Sequence, residues 1–179
     1  MDVLQAISGR RSIRKYKEQP VEAEKLVQVL NAARLAPSWK NMQCWRFLVL
    51  DVAARKEALL CAFADDNPGK KALLQAPIVI VLCADPARSE VSHGMEYYIA
   101  DAAVAFQNLC LAAHEIGLGT CWMGMYDEDA IKERLGIPAG IRVVGVTPLG
   151  YPDQEPRERP RLELTEIAYY NDWGKTDAD

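Results

Sequence analysis

The chain has 179 residues, half of them hydrophobic and 26% charged, a composition typical of one soluble globular domain. Its 21 basic and 25 acidic residues give a formal net charge of −4. This balance argues against a general nucleic-acid binder or a protein of anionic membrane surfaces, because both need a basic surplus. Apolar runs stay below the roughly 18–20 residues that span a bilayer, and the first basic residues follow the apolar stretch, unlike in a signal peptide. We therefore expect a cytoplasmic protein without a membrane segment.

Cysteine and histidine usage predicts neither a disulfide framework nor a structural metal site. The chain has two histidines and five cysteines, which are Cys44, Cys61, Cys83, Cys110 and Cys121. An odd number of widely spaced cysteines without a C-x-x-C pair is typical of reduced thiols. Cys61, Cys83 and Cys110 lie inside apolar patterns, so we expect these three side chains in the core.

Hydrophobic spacing predicts the elements of the first half of the chain. Apolar residues recur at three- and four-residue spacing between Pro20 and Pro37, which indicates a helix that ends before the second proline. Trp45 to Leu50 is a compact apolar run typical of a strand, and Ala53 to Ala64 has a helical pattern. Ile78 to Cys83 is rich in β-branched residues and is bounded by prolines, as expected for a buried central strand.

The second half contains the most informative helix, from Tyr97 to Ile116. Apolar residues lie on nearly all of its faces, so it needs cover from several sides, which a second subunit would provide. Thr120 to Met123 is predicted as a short strand, residues 127–135 as a helix with Asp127 at its N-cap, and Arg142 to Leu149 as the last strand. The irregular order of strands and helices favours a layered arrangement over a strict βαβ repeat.

No repeat, low-complexity tract or flexible linker divides the chain, so we predict one domain over residues 1–160 with a C-terminal arm over 161–179. The arm follows a proline- and arginine-rich stretch and is itself rich in aromatic and aliphatic side chains. Such a tail needs an apolar surface to pack on. The pattern leaves two alternatives open, because the arm can fold back on its own core or reach a partner subunit.

Basic charge is concentrated in two short segments. Five basic residues and no acid lie within residues 10–17, and three arginines accompany Glu158 within residues 157–161. Guanidinium groups match phosphate oxygens bidentately, and Ser12 offers a hydroxyl donor in the first segment. A small, doubly charged anion is therefore a candidate ligand. The alternative is that both segments are solvated charge runs.

The loop from Ala36 to Phe47 combines hydroxyl, amide and indole side chains just before a predicted strand. Ser38, Asn41 and Gln43 can read the edge of a heteroaromatic ring, and a tryptophan offers a stacking surface. Beside an anion site, this density of uncharged polar groups suggests a planar cofactor. The alternative is a proline-terminated loop in which the side chain of Trp45 lies in the core. Glycine-rich nucleotide motifs and the G-x-S-x-G hydrolase motif do not occur in the sequence.

Four segments carry a resemblance to one protein family. Residues 10–16 read R-R-S-I-R-K-Y, residues 37–47 read P-S-W-K-N-M-Q-C-W-R-F, residues 117–122 read G-L-G-T-C-W, and residues 149–152 read L-G-Y-P. They resemble the R-R-S-x-R-x-[FY], P-S-x-x-N-x-Q-P-W-x-F, G-L-G-T-x-W and late strand-end motifs of the FMN-dependent nitroreductases. Each motif alone is weak, but their common order and spacing over essentially the whole chain make the resemblance specific.

The resemblance implies an α+β fold with a central mixed or antiparallel sheet sandwiched by helices. It also implies a homodimer with two FMN sites at the interface and a C-terminal arm that crosses to the partner subunit. The implied activity is that of an FMN-dependent oxidoreductase, which transfers hydride from NADH or NADPH to a small acceptor such as a nitroaromatic compound or a quinone in a ping-pong cycle. The flavin carries this chemistry, so no catalytic side chain is implied. The alternatives are a flavin-binding sensor or storage protein, a dehalogenase or flavin-modifying relative, and a flavin-free binder of phosphorylated or nucleic-acid ligands.

Residue by residue, the resemblance implies three groups of FMN contacts. The group at the phosphate and ribityl end comprises Arg10, Arg11, Ser12 and Arg14, together with Arg157 and Arg159. The group supplied by the other subunit comprises Pro37, Ser38, Trp39, Asn41 and Gln43. The group along the isoalloxazine ring comprises Trp122, Met123 and Gly124. Lys70 or Lys71 is expected to bring positive charge to the pyrimidine edge.

The chain departs from the family pattern at three places. Cys44 stands where the family has a proline before tryptophan, and we interpret its thiol as packing rather than catalytic. Met123 stands where many members carry an acid before the glycine, so no carboxylate is available there. Between Asp85 and Tyr97, no insertion is long enough to form a deep lid.

Overall fold

The computed structural model describes residues 2–176, which form three layers of secondary structure. The helices are α1 (Val3–Gly9), α2 (Ala23–Arg34), α3 (Ala53–Leu59), α4 (Gly69–Gln75), α5 (Tyr97–Glu115), α6 (Glu128–Leu135) and α7 (Leu164–Ile167). The strands are β1 (Trp45–Leu50), β2 (Ile78–Ala84), β3 (Val91–Ser92), β4 (Met95–Glu96), β5 (Gly119–Thr120) and β6 (Arg142–Gly150). Within residues 2–176, no helix is long and apolar enough to cross a membrane.

The middle layer is a four-stranded sheet of order β1-β2-β6-β5, in which every neighbouring pair is antiparallel. All seven residues of β2 are buried, because the two faces of this strand pack against different helices. Ile78, Ile80 and Leu82 lie in a core with side chains of α2 and α5. Val79 and Val81 lie in a second core with side chains of α3, α4 and α6. The continuous β-branched run thus follows from burial on both faces, and the predicted helix-sandwiched α+β fold is confirmed.

A segment near the N-terminus extends the sheet beside β5. Ser12 forms a parallel bridge with Thr120, and Tyr16 forms an antiparallel bridge with Pro152. These pairings place the basic segment 10–17 next to the chain that follows β6. The first and the last part of the sequence therefore meet at one edge of the sheet.

Helix α5 is covered on two sides, by the sheet and by α2. Ala102, Phe106 and Leu109 are fully buried in this core. Ile99 and Val104 remain 48% and 42% exposed. Helix α5 is therefore apolar on three sides. In one chain, the sheet and α2 cover two of these sides and the third is exposed.

Most element boundaries agree with the sequence predictions, and the differences lie in short segments. The helix predicted over residues 53–64 ends as α3 at Leu59 and continues as a 3₁₀ turn. The strand predicted over residues 120–123 is reduced to β5 and a single bridge between Met123 and Val146. Helices α1, α4 and α7 and the β3–β4 hairpin are not predicted, because each is too short to develop a clear hydrophobic period.

The expectation that Cys61 lies in the core is wrong. Its side chain is exposed, whereas Cys83 and Cys110 are buried as expected. Cys61 follows the buried Leu59 by two residues, which on a helix is a rotation of roughly 200° toward the opposite side. Its thiol donates to the Ala58 carbonyl oxygen at 3.3 Å, so it stays on the surface of the turn.

Glu128, at the start of α6, ties that helix to β6. Its carboxylate accepts from the Arg142 guanidinium at 2.9, 3.0 and 3.2 Å and from the Val143 N–H at 2.9 Å, and it pairs with Lys132 at 3.0 Å. Burial acts to raise the pKa of Glu128, but the hydrogen bonds outweigh it and hold the pKa at about 2. Asp127, the residue before Glu128, is the N-cap of α6, as the sequence predicts.

Glu128→Gln is expected to lower the free energy of unfolding at neutral pH, because the amide cannot form the ion pairs of the carboxylate. The folded pKa lies below the ordinary value of 4.5, so the stabilisation is complete above that pH and is lost as the pH falls toward 2. When the free energy of unfolding is measured with urea over this pH range, it should change less with pH for the variant than for the wild type. Glu133→Gln, on the exposed face of the same helix, should keep the wild-type dependence, and identical curves for all three proteins would contradict the prediction.

Candidate functional site

The two arginine-rich segments line one cavity of about 580 Å³, which we call the arginine cavity. Its wall consists of Arg10, Arg11, Ser12, Arg14, Gln154, Pro156, Arg157, Glu158, Arg159, Pro160 and Arg161. Six guanidinium groups and one carboxylate thus surround a common space. The structure brings together the two basic segments that the sequence singles out.

Backbone hydrogen bonds hold the two segments side by side. The Lys17 N–H donates to the Tyr151 carbonyl oxygen at 2.9 Å, and the Asp153 N–H donates to the Lys15 carbonyl oxygen at 3.0 Å. Tyr16, between the two lysines, is buried. The chain that follows the first basic segment is therefore held beside the chain that precedes the second one.

The arginines of the cavity differ in how their guanidinium groups are used. Arg11 donates to the carbonyl oxygens of Ser8 and Arg10. It also forms an ion pair with Glu158 at 3.0 Å. Within residues 2–176, no protein acceptor engages the guanidinium groups of Arg10, Arg14, Arg157 and Arg159. Several cationic donors around one space, without protein acceptors, are the donor set that a small polyanion such as a phosphate group would require.

A second, smaller cavity of about 210 Å³ lies beyond the end of β5, and we call it the strand-end cavity. Its wall consists of Arg14, Asn67, Pro68, Gly69, Ala72, Cys121, Trp122, Met123, Gly124 and Met125. Arg14 lines both cavities. A ligand with its anionic group in the arginine cavity can therefore extend along the predicted strand end 122–124.

The wall of the strand-end cavity is closely packed. Met123 pairs with Val146 through two backbone hydrogen bonds of 2.9 and 3.0 Å. The Trp122 ring contacts Phe106 edge-on, with ring centroids 4.3 Å apart. A Cβ atom at Gly69 would lie 2.3 Å from the Met123 Cε atom. Glycine at this position therefore lets α4 approach the strand end closely.

The loop between α2 and β1, which we call the polar loop, lies away from both cavities. Its predicted site residues are Pro37, Ser38, Trp39, Asn41 and Gln43, and in the described part of one chain none of them lines either cavity. The loop packs on the start of α5, where the rings of Trp39 and Tyr97 have centroids 4.9 Å apart. Trp45 is buried, as the core interpretation predicts. A role of this loop in the same site therefore requires a second copy of the chain.

The sequence profile described as Nitroreductase family matches residues 7–151. This chain belongs to the nitroreductase family. A solved structure described as a nitroreductase family protein, from Clostridium novyi NT, is 34% identical and covers 98% of this chain and 96% of its own, with a TM-score of 0.82. The resemblance stated from the four motifs is confirmed.

Two further nitroreductase relatives match over most of their length. The solved structure of an FMN-dependent nitroreductase from Clostridium difficile R20291 is 32% identical and covers 96% of this chain and 100% of its own, with a TM-score of 0.83. A protein of Methanothermobacter thermautotrophicus, whose name includes NADH dehydrogenase and NAD(P)H nitroreductase, is 36% identical over 171 residues. That alignment covers 93% of this chain and 86% of the relative.

Sequence reasoning missed Asp101 of this family member. Asp101 lies on α5, is only 7% exposed, and accepts from the Trp39 N–H at 3.0 Å and from the Ser89 hydroxyl at 3.5 Å. The available signal is an acid in the first half of the helix, where the neighbouring residues are apolar. Asn67 and Gly69 of the strand-end cavity are missed as well, since no hydrophobic period marks them.

Cys44, which replaces the family proline, is buried against Asp101. Its Sγ atom lies 3.9 Å from Asp101 Oδ2 and 3.8 Å from the Tyr98 carbonyl oxygen. Burial, and then the nearby Asp101, raise the pKa of Cys44 to about 11. The thiol is therefore protonated at neutral pH, which agrees with a packing role rather than a nucleophilic one.

Neither lysine expected at a pyrimidine edge lines the strand-end cavity in the described part of the nitroreductase. Lys70 forms an ion pair with Asp65 at 2.9 Å and donates to the Phe63 carbonyl oxygen at 3.2 Å. Lys71 is exposed on α4. Positive charge at the strand-end cavity comes from Arg14.

Proposed function

We propose that this nitroreductase is an FMN-dependent NAD(P)H oxidoreductase that transfers hydride to a small acceptor, such as a nitroaromatic compound or a quinone. The arginine cavity carries the proposal, because within residues 2–176 four of its arginines have no protein acceptor. The phosphate of a cofactor would supply those acceptors. The five unpaired cysteines are in keeping with a location in the reducing cytoplasm.

The residues present fit the two parts of FMN. The arginine cavity offers guanidinium groups and the Ser12 hydroxyl, which suit a doubly charged phosphate. The strand-end cavity is lined by the Trp122 to Gly124 segment and by Gly69, and the resemblance to the family implies the flavin ring beside that segment. Arg14, at the junction of the cavities, would contact the region where these two parts join.

When bound, FMN supplies the hydride chemistry, and the chain supplies position and charge. Arg10, Arg14, Arg157 and Arg159 would hold the phosphate, with Arg11 beside them although part of its guanidinium already serves protein acceptors. Residues 122–124 would lie along the ring, in a backbone fixed by the pairing of Met123 with Val146. Arg14 would also favour negative charge in the strand-end cavity. No side chain is required as a general acid or a nucleophile.

The proposed ping-pong order requires space beside the strand-end cavity for the reductant and the acceptor. Gly124 and Met125 also line an adjacent open cavity of about 660 Å³, bounded by Asp66 and Tyr126. The reductant and the acceptor, both small molecules, would reach the same face through this opening in turn.

We further infer that two copies form the working unit. Apolar side chains exposed on one chain are Val3, Leu4 and Ile7 of α1, Ile99 and Val104 of α5, and Leu164 and Ile167 of α7. Covering these faces would bury the apolar surface that is typical of homodimer interfaces. In this arrangement the flavin site of each subunit would be completed by its partner's loop, through Pro37, Ser38, Trp39, Asn41 and Gln43.

Cofactor content and anaerobic reduction test the proposed function. The protein, purified or incubated with FMN and desalted, is expected to be yellow and to bleach when NADH or NADPH is added without oxygen. A nitroaromatic compound or a quinone should then restore the colour over repeated turnovers. A protein that takes up no FMN would contradict the proposal. A yellow protein that neither reductant bleaches would instead be a flavin-binding or flavin-modifying protein.

A further inference from the structure

The polar loop between α2 and β1 has a strained backbone. Lys40, Asn41 and Gln43 have φ angles of 45°, 57° and 50°, in the left-handed region that residues other than glycine rarely adopt. Such conformations persist only where the surroundings hold them. The Ser38 hydroxyl accepts from the Gln43 N–H at 2.9 Å, which closes the loop on itself. Contacts outside the loop must then fix its position on the protein.

Asp101 of α5 lies where both ends of the loop meet the body of the protein. Its Oδ1 atom accepts from the N–H of Trp39, at the start of the loop, at 3.0 Å. Its Oδ2 atom lies 3.9 Å from the thiol of Cys44, at the end of the loop, and 3.5 Å from the Ser89 hydroxyl. One buried carboxyl group thus connects the loop to α5 and to the segment after β2.

Neutral groups surround the carboxyl group of Asp101. Within residues 2–176, no lysine or arginine side chain forms an ion pair or hydrogen bond with it. Its hydrogen-bonding partners are the Trp39 N–H, the Ser89 hydroxyl and the Cys44 thiol. The end of the loop has a further support, because Arg88 donates to the Met42 carbonyl oxygen at 3.2 Å. The start of the loop is held by Asp101 and by the ring of Tyr97.

We propose that Asp101 is a positioning residue, which holds the loop in the conformation that completes the flavin site of the partner subunit. This inference rests on the proposed function, in which the loop supplies Ser38, Trp39 and Asn41 to that site. In the described part of the chain Asp101 lines neither the arginine cavity nor the strand-end cavity, so it acts through the loop. Cys44, where the family has proline, gives Asp101 a thiol donor that a proline could not supply.

Substitutions at Asp101 and Ser89 separate the hydrogen bond to the loop from general packing. Asp101→Ala leaves the Trp39 N–H without its acceptor, and FMN affinity is expected to fall by about tenfold or more. Asp101→Asn keeps an oxygen acceptor and is expected to stay within about threefold of the wild type. Ser89→Ala removes only a long contact of Asp101 and is expected to bind FMN as the wild type does. Fluorescence titration with FMN gives the dissociation constant of the wild type and of each of the three variants.

Mixed dimers test whether Asp101 acts on the site of the other subunit. Asp101→Ala and Arg14→Ala subunits carrying different affinity tags are combined and the mixed dimer is isolated. One of its two sites then contains both an intact arginine set and an intact loop. That site is expected to bind FMN with wild-type affinity at half the wild-type stoichiometry, whereas both parent homodimers bind weakly. A general loss of stability in the Asp101→Ala subunit would not give this recovery.

The outcomes distinguish this inference from the function on which it rests. Wild-type protein that takes up no FMN overturns the proposed function, and the role of Asp101 with it. If the wild type takes up FMN and Asp101→Ala binds it with unchanged affinity, only the role of Asp101 is overturned. The same conclusion follows if the mixed dimer shows no recovery of FMN affinity. If Asp101→Ala does not fold, Asp101→Glu replaces it, since the longer side chain displaces the acceptor and the same loss is expected. Wild-type affinity in that variant likewise overturns the inference.

Discussion

Arg14→Ala is expected to weaken FMN binding by about 10- to 150-fold, the loss that follows when one charged hydrogen-bond partner worth roughly 1.5–3 kcal/mol is removed. Arg14 lines both cavities and, within residues 2–176, has no protein acceptor, so its guanidinium is available to the cofactor. Arg10→Ala, in the same cavity, is expected to have an effect of the same order. The flavin retained on purification and the dissociation constant from fluorescence titration measure both variants.

Lys15→Ala is the matched control, because it removes the same charge from the same segment while Lys15 lines neither cavity. Its FMN affinity is expected to stay within about twofold of the wild type, as for a surface charge. Arg14→Lys keeps the charge but loses the planar fork and should fall between the wild type and Arg14→Ala. Added salt should reduce the difference in FMN affinity between the wild type and Arg14→Ala, since the contact between Arg14 and the phosphate is electrostatic. Unchanged flavin occupancy in both Arg10→Ala and Arg14→Ala would remove the phosphate assignment.

The large elements could be predicted because burial leaves local patterns in the sequence. Strand β2 is a continuous β-branched run since both of its faces are covered, and α5 is apolar around most of its circumference since two layers pack on it. Both patterns arise from neighbouring residues, which a single sequence displays. The meeting of the two arginine segments depends instead on the bridges of Ser12 with Thr120 and of Tyr16 with Pro152. No periodicity indicates such pairings, and only the family resemblance implied them.

The parts of the site that escaped prediction act through tertiary contacts of single residues. Asp101 reads as a polar interruption of an apolar helix until the Trp39 N–H is placed against it. Gly69 reads as an ordinary turn glycine until the Met123 side chain is found in the space of its missing Cβ. Cys61 has an apolar neighbourhood in sequence, but α3 ends just before it and the thiol turns outward. For Asp101 and Gly69, the decisive partner lies outside the local pattern.

Removal of the C-terminal arm is expected to convert the protein into a monomer that binds FMN poorly. In the described part of the arm, Leu162, Leu164, Ile167 and Trp173 are 63%, 76%, 60% and 92% exposed, so these side chains do not pack on their own core. Residues 177–179, at the end of the predicted arm, lie outside the described residues. Each side chain buried against a partner would contribute about 1.5–3 kcal/mol, and both arms of a symmetric dimer would contribute equally.

A chain that ends at Arg161 keeps every residue that lines the arginine cavity, so its loss of FMN could not be assigned to a missing phosphate contact. A chain that ends at Thr176 is the control and should remain dimeric and yellow. Sedimentation over a range of protein concentrations, combined with FMN titration, separates the possible results. A shortened chain that stays dimeric but unfolds at lower temperature would mean that the arm packs on its own subunit. A monomer with wild-type FMN affinity would mean that one chain holds the flavin without a partner's loop, and the shared site would then be wrong.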